Sequence, residues 1–298
     1  MVRLLSLMAV LAMATVSFAE DSVVQKLQDV SVTIRAGNSQ GSGILFTRKI
    51  DSETVTFVWT AGHVVDGLRK TRTVIDQKTG TSRIVVEFDD ADIVKEFTEN
   101  GRRVGEVKMA ASVVKYSDSE SGEDLALLMV RKKNYVPDSV SVKFYLDKDI
   151  PAIGTELYHV GSLRGQVGAN SLTTGVVSQH GRVLNFGASD VIFDQTTVTA
   201  FPGSSGGGVY LKSDGRCVGM LVRGAGEQFN FIVPVRRLAA WAKKTHIEWA
   251  VDPSVPVPSL ADIGKIKAED SGVDFTEKGE SKEVKADGKA VHLLIQRD

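Results

Sequence analysis

The chain has almost no cysteine: Cys217 stands alone among 298 residues. A single thiol cannot form an internal disulfide, so the fold must be held by its core. Cys217 lies in Arg216-Cys217-Val218-Gly219-Met220-Leu221-Val222, a strand-like run with no cationic or glycine-rich seat to activate a thiolate. It reads as a small buried hydrophobe. Charge of one sign is lacking too, with 36 Lys and Arg against 37 Asp and Glu, a formal net charge of -1. No basic cluster with interleaved aromatics appears, which argues against a nucleic-acid partner. His159, His180, His246 and His292 show no metal-ligand spacing among themselves or with carboxylates and read as structural.

Long hydrophobic runs are missing apart from the first residues. Arg3, the apolar stretch Leu4 to Val16, and Ser17-Phe18-Ala19 before Glu20-Asp21 have the anatomy of a secretory signal peptide over residues 1–19. The apolar stretch is shorter than the roughly 20 residues that span a bilayer. The expectation is an exported protein, periplasmic or extracellular, with no stable membrane insertion.

From Val23 to about Val235 the chain runs through short segments rich in Val, Ile, Thr and Phe, divided by Gly, Asp, Asn and Ser. Examples are Val30 to Ile34, Gly43 to Phe46, Val55 to Thr60, Leu125 to Val130 and Gly208 to Leu211. Short strands at this spacing predict an all-β barrel or sandwich and not βαβ units. Leu238, Trp241, Ala242, His246 and Trp249 recur at helical spacing after Pro234, predicting a helix over 235–249. Charge-dense Asp89 to Arg103 and acidic Ser117 to Glu123 read as surface insertions, and Asp147 to Gly154 as the link between two β halves. Residues 251–298 are polar and proline-broken, the composition of a solvated tail. Within it, Ala290 to Ile295 reads as a short strand able to dock on a sheet edge or a partner.

Chemistry enters at Phe201-Pro202-Gly203-Ser204-Ser205-Gly206-Gly207-Gly208, a serine seated among glycines that let the backbone approach a substrate and turn its N–H groups inward. Upstream lie Thr60-Ala61-Gly62-His63 and Glu123-Asp124-Leu125-Ala126-Leu127-Leu128. A serine hydroxyl is a poor nucleophile near neutral pH and needs a base, for which imidazole, with a pKa of about 6.5, is suited. The base in turn needs a carboxylate to fix its tautomer. His, Asp and Ser in this chain order suggest nucleophilic acyl transfer. An α/β-hydrolase esterase would run serine, acid, histidine instead.

These three segments resemble the signature segments of the trypsin-like (chymotrypsin-fold) serine peptidases, and are most similar to the disulfide-poor HtrA-like bacterial branch. Gly161-Ser162-Leu163, Ser171 to Ser178, Val218-Gly219-Met220 and Phe231-Ile232-Val233-Pro234 fit the same branch, so the resemblance spans about residues 25–250. It implies two six-stranded antiparallel β-barrels, at about 24–146 and 152–235, within a protease domain of residues 20–250. It implies His63 as general base, Asp124 as its orienting carboxylate and Ser205 as nucleophile. The oxyanion hole would be backbone N–H groups of Gly203 and Ser205, with Ser204 as a further candidate. Thr199 would lie at the base of the primary substrate pocket, with Val222, Arg223 and Gly224 at its edge.

Protein or peptide substrates are implied; no cofactor and no metal are needed, and the oligomeric state is left open. The chain departs from the family in two places. Ser204 stands where zymogen-activated members carry an Asp, so activation by N-terminal trimming is not expected. Too few residues follow Trp249 for the PDZ domain usual in HtrA-like enzymes. Neutral Thr199 offers no partner to a substrate Lys or Arg, which favours cleavage after small or medium apolar residues; Arg223 recruiting an acidic group is the other possibility. The competing reading is a catalytically silent peptide-binding module on the same fold.

Overall fold

The computed structural model describes residues 23–75, 82–99, 102–120, 122–185, 190–224, 226 and 228–269. Residues 1–19 and Ala290 to Ile295 lie outside them. A short helix, α1 (residues 23–29), leads into a first barrel of β1 (Ser31–Ala36), β2 (Ser39–Ile50), β3 (Glu53–Thr60), β6 (Ala91–Glu99), β7 (Arg102–Ser117) and β8 (Leu125–Val130). It closes in the order β1-β2-β3-β8-β7-β6. Between β3 and β6 lie a one-turn helix, α2 (Gly62–Val65), and a separate two-stranded ribbon of β4 (Arg69–Ile75) and β5 (Ser82–Phe88). The second barrel comprises β9 (Glu156–Leu163), β10 (Gly168–Asn185), β11 (Asp190–Thr196), β12 (Gly208–Leu211), β13 (Cys217–Gly224) and β14 (Asn230–Pro234), closed as β10-β11-β14-β13-β12-β9. Helices α3 (Val235–Lys244) and α4 (Leu260–Ile263) follow. The all-β reading with two six-stranded antiparallel barrels is therefore the observed architecture.

Inward positions of both barrels are aliphatic and aromatic. Ile34, Ile44, Phe57, Trp59, Leu125 and Leu127 are fully buried in the first, and Leu157, Val209 and Leu221 are buried in the second. Phe57 stacks on Phe46 at 5.2 Å and meets Trp249 edge-on at 5.0 Å, so a residue beyond α3 completes the first barrel's core. Cys217 is buried, and burial pushes its thiol up to about 12, which keeps it protonated and inert.

The structure departs from the sequence reading in three places. Asp89 to Arg103 is not an insertion: it supplies β6 and the start of β7, where most of its charges, buried Lys95 excepted, lie toward solvent and several pair across strands, as in Arg103–Glu96 at 2.9 Å and Lys108–Asp92 at 2.7 Å. Helix α3 ends at Lys244, five residues before the expected limit. There Ile247 N–H bonds Ala242 O at 2.8 Å, His246 N–H bonds Lys243 O at 3.3 Å, and His246 adopts φ 60, a left-handed helix stop. Third, residues 251–269 are packed. Arg48 of β2 donates to the carbonyls of Trp249, Asp252 and Pro253 at 2.9, 2.6 and 3.0 Å. Ile263 is buried, and Ala268 O accepts the Tyr116 N–H at 2.7 Å. A few backbone contacts, which composition cannot display, hold this polar segment.

Candidate active site

His63 sits on α2, directly after the buried end of β3. Gly62 makes that placement possible, since a Cβ there would lie 2.2 Å from Ser117 O and 3.3 Å from the Asp124 carbonyl carbon. The helix thus rests on the loop that carries the acid. His63 Nδ1–H faces both carboxylate oxygens of Asp124, at 2.9 and 3.0 Å, and the His63 backbone N–H donates to Asp124 Oδ1 at 3.0 Å. An Nδ1–H tautomer leaves Nε2 with its lone pair free to accept a proton.

Asp124 immediately precedes β8 and is 2% exposed. Its φ of 55 is left-handed, a conformation that costs a non-glycine residue roughly 1–3 kcal/mol. Within the loop, Asp124 N–H bonds Asp118 O at 3.0 Å and Glu123 N–H bonds Ser117 Oγ at 2.7 Å. Two arginines reach the loop from elsewhere. Arg223 of β13 donates Nη2–H to Ser119 O at 3.1 Å and lies 3.8 Å from Asp124 Oδ2. Arg237 of α3 bonds Glu123. Nearby, burial raises the Asp66 carboxyl above its ordinary value; a hydrogen bond from the Tyr116 hydroxyl opposes this and the Asp124 charge adds to it.

The serine loop is built on a tight turn. Ser204 N–H bonds Phe201 O at 2.9 Å and Gly203 has φ 96, the type II arrangement that needs glycine at its third position. A Cβ on Gly203 would lie 2.4 Å from Ser162 O. The Pro202 carbonyl is held by the Arg164 N–H at 2.7 Å, and no peptide is cis, so the Gly203 N–H of that same peptide points the opposite way. Among the described residues no protein acceptor engages the N–H of Gly203 or Ser205. The N–H of Ser204, expected as a further oxyanion donor, is instead turned to Phe201 O. Its hydroxyl is also occupied, accepting the Phe201 N–H at 3.1 Å, and Ser204 is 1% exposed. Ser205 is the partly exposed serine.

Ser205 and His63 come together through their neighbours. Ser205 O accepts the Ser42 N–H at 2.7 Å. A Cβ on Gly206 (φ 88) would lie 2.1 Å from Ser42 O and 3.1 Å from Ala61 N, two residues before His63. His63 and Ser205 share no direct hydrogen bond in this structure.

Ser42 is a site residue that the sequence reading missed. Its Oγ–H donates to Gly203 O at 2.7 Å and its oxygen accepts the Ser162 N–H at 2.7 Å, while Ser42 O takes the Thr60 hydroxyl at 2.8 Å. The signal available was Gly41-Ser42-Gly43, small residues at the head of an apolar strand. Around the expected pocket, Thr199 is exposed, Val222 is buried, and Gly224 lies over Asn230, whose Nδ2 donates to Val198 O at 2.7 Å. Asn230 was also missed, having no motif of its own. Arg223 turns its guanidinium inward to the acid loop. No group of three or more His, Cys, Asp or Glu that could hold a metal occurs among the described residues.

Residues 41–220 match the trypsin-like peptidase domain family. The chain belongs to the trypsin-like peptidases. No curated protein sequence matches it. Among solved structures, this trypsin-like peptidase is similar to Deg5, with TM-score 0.54 and 18% identity over 79% of this chain and 98% of that one. An inactive form of Rv3671c from M. tuberculosis aligns with TM-score 0.50 and 16% identity over 79% and 93% of the two chains. The serine endoprotease from Yersinia pestis aligns with TM-score 0.50 and 19% identity over 78% and 68%. At such identities the shared feature is the chymotrypsin-like fold. No helix among the described residues is long and apolar enough to cross a membrane.

Proposed function

We propose that this peptidase is an exported serine endopeptidase that cleaves peptide bonds through an acyl-enzyme on Ser205. The observation that carries the reading is the pairing of His63 Nδ1 with the buried Asp124 carboxylate beside a glycine-framed, partly exposed serine. In the first step Ser205 Oγ attacks the substrate carbonyl carbon while His63 Nε2 takes the hydroxyl proton. The negative charge that develops on the carbonyl oxygen is met by the N–H groups of Gly203 and Ser205, each such donor contributing about 2.7–4 kcal/mol to the transition state. Collapse breaks the C–N bond as His63 returns the proton to the leaving amine. Water, deprotonated by His63, then attacks the acyl-Ser205 ester; the C–Oγ bond breaks, His63 returns the proton to Ser205 Oγ, and the acid leaves. Asp124 holds the imidazole in the working tautomer and stabilises the imidazolium formed in each half. The missing direct contact between Ser205 and His63 is in keeping with free enzymes, whose catalytic hydrogen bonds tighten when substrate binds.

Exposed, neutral Thr199 and the Val222 to Gly224 edge favour an extended substrate with a small or medium apolar residue at the cleaved bond, paired as an added strand. The inward turn of Arg223 removes the main argument for recruiting an acidic side chain. Export rests on the signal-peptide anatomy of residues 1–19. The deciding experiment is intact-mass analysis after a fluorophosphonate probe: one adduct, lost in Ser205→Ala and kept in Ser204→Ala, is expected. Folded protein that takes no label would overturn the reading in favour of a silent peptide-binding module. A cleavage profile dominated by Lys and Arg would overturn the substrate assignment alone.

A further inference from the structure

The acid of the site is held from across the molecule. Arg237 on α3, beyond the last strand of the second barrel, has a side chain only 11% exposed. Its Nε–H donates to Glu123 Oε2 at 2.5 Å and its Nη2–H to Glu123 O at 2.7 Å. Its Nη1–H donates to Ile192 O at 3.0 Å, and its guanidinium carbon stands 4.7 Å from the centre of the Phe193 ring. One planar cation therefore joins β11 to the residue before Asp124, using donors in a fixed fork that lysine cannot reproduce.

We propose that Arg237 is a positioning residue for catalysis: by gripping both the carbonyl and the carboxylate of Glu123, it fixes Asp124 in the left-handed conformation from which both carboxylate oxygens face His63. The inference rests on the reading of Asp124 as the orienting carboxylate. Asp124 has φ 55, a backbone conformation that carries a cost for a non-glycine residue and persists where its surroundings hold it. The hydrogen bond from Asp124 to Asp118 lies inside the loop and moves with it, and the bond from Glu123 N–H to Ser117 Oγ reaches only the last residue of β7, in the first barrel. Arg237 ties the loop to a rigid helix and strand. Arg223, bonded to Ser119 O, is a second grip on the same loop, from the strand that would pair with substrate. Burial of Arg237 lowers its pKa, opposed by the charges of Glu123 and Asp124, so its place in the structure depends on the anionic loop it holds.

The test uses the mature enzyme with Arg237→Met, Arg237→Lys and Glu123→Gln. Arg237→Met is expected to lower kcat by about 10²-fold with KM unchanged, the scale of loss when a reacting group is misplaced by about 1 Å. The acid limb of kcat should move to lower pH, because an imidazolium deprived of its carboxylate is less stable. The low-field proton resonance of the His63 Nδ1–H to Asp124 bond should weaken. Arg237→Lys should fall between, and so should Glu123→Gln, which keeps the backbone carbonyl contact but replaces the charged side-chain contact with a neutral one. An Arg237→Met enzyme with unchanged kcat, acid limb and low-field proton would overturn the proposal, whatever its melting temperature. If Arg237→Met fails to fold, Arg237→Lys carries the same readouts. Should the parent protein prove inactive toward peptides and probe, the protease reading fails on its own, while the low-field proton still reports whether Arg237 sets the His63–Asp124 pair.

Discussion

Both carboxylate oxygens of Asp124 face His63 Nδ1, at 2.9 and 3.0 Å, and Oδ1 also accepts the His63 backbone N–H at 3.0 Å. One carboxylate thus sets the orientation of the ring and the placement of its backbone together. An amide has a different donor pattern. With its NH2 group toward Nδ1, Asn at this position would drive the proton to Nε2, where it would block the proton transfer that the proposed mechanism assigns to Ser205 and His63. Asp124→Asn is expected to lower kcat by about 10⁴-fold while the melting temperature changes little. Steady-state kinetics beside a thermal melt checks this, and a loss under tenfold would show that the carboxylate is not the orienting group.

Gly206 beside the serine and Gly37 in the β1–β2 turn separate the need for space from the need for conformation. Gly206 needs both, with φ 88 and a Cβ position 2.1 Å from Ser42 O, a backbone atom that cannot move aside cheaply. Gly37 at φ 60 has nothing within 4 Å of its Cβ position. Gly37→Ala should therefore cost about 1 kcal/mol, the left-handed penalty alone. Gly206→Ala should cost at least twice that and silence the site, because relief requires the serine loop to move off Ser42 and Ala61. Urea unfolding of both variants with activity at matched concentration checks the contrast; equal losses would place the strain elsewhere.

The sequence was most informative where chemistry and local pattern coincide. His63, Asp124 and Ser205 are flanked by small residues and apolar strands, and the structure brings the three segments together. The strand pattern likewise showed the all-β class, since period-two alternation is local. What escaped notice depends on distant partners. Ser42 and Arg237 look ordinary in sequence, and their meaning lies in the carbonyls of Gly203 and Glu123 that they hold. The charged segment from Asp89 to Arg103 looked like a loop because its ion pairs form only once β6 and β7 face each other. Arg223, expected at the edge of the substrate pocket, bonds Ser119 O of the acid loop, a partner more than a hundred residues away in the chain.

Arg48 makes the polar segment after α3 part of the domain. Its guanidinium, in contact with the carbonyls of Trp249, Asp252 and Pro253, replaces water that these groups would otherwise need. The Trp59 indole N–H adds a bond to Ala250 O at 2.9 Å. Arg48→Met keeps much of the apolar stem and removes every donor, so about 2–3 kcal/mol of stability should be lost. Limited proteolysis should then cut first between residues 250 and 269. An unchanged melting temperature and cleavage pattern would mean that these contacts contribute nothing net.

His159 gives the fold its own acid sensitivity, separate from catalysis. It is fully buried on β9, and its Nδ1–H donates to Gly208 O at 3.0 Å. Its ring lies against Gly207 in the serine loop, where a Cβ would approach it to 2.7 Å. Burial lowers its pKa from 6.5 to about 4. The sign follows from proton counting. Between these values the unfolded chain binds a proton at this site and the folded chain does not, so stability falls as pH drops from about 6.5 to about 4. Below the folded value both states are protonated, and the group takes nothing further. The shift corresponds to about 3 kcal/mol across the window. Other groups also titrate there, so the measurement is a difference: urea unfolding of the parent and His159→Asn at pH 7 and pH 4. Asn keeps a neutral donor near Gly208 O and cannot become charged. The parent should lose about 3 kcal/mol more than the variant between the two pH values. Parallel losses in the two proteins would show that His159 is not the group that destabilises the fold in acid.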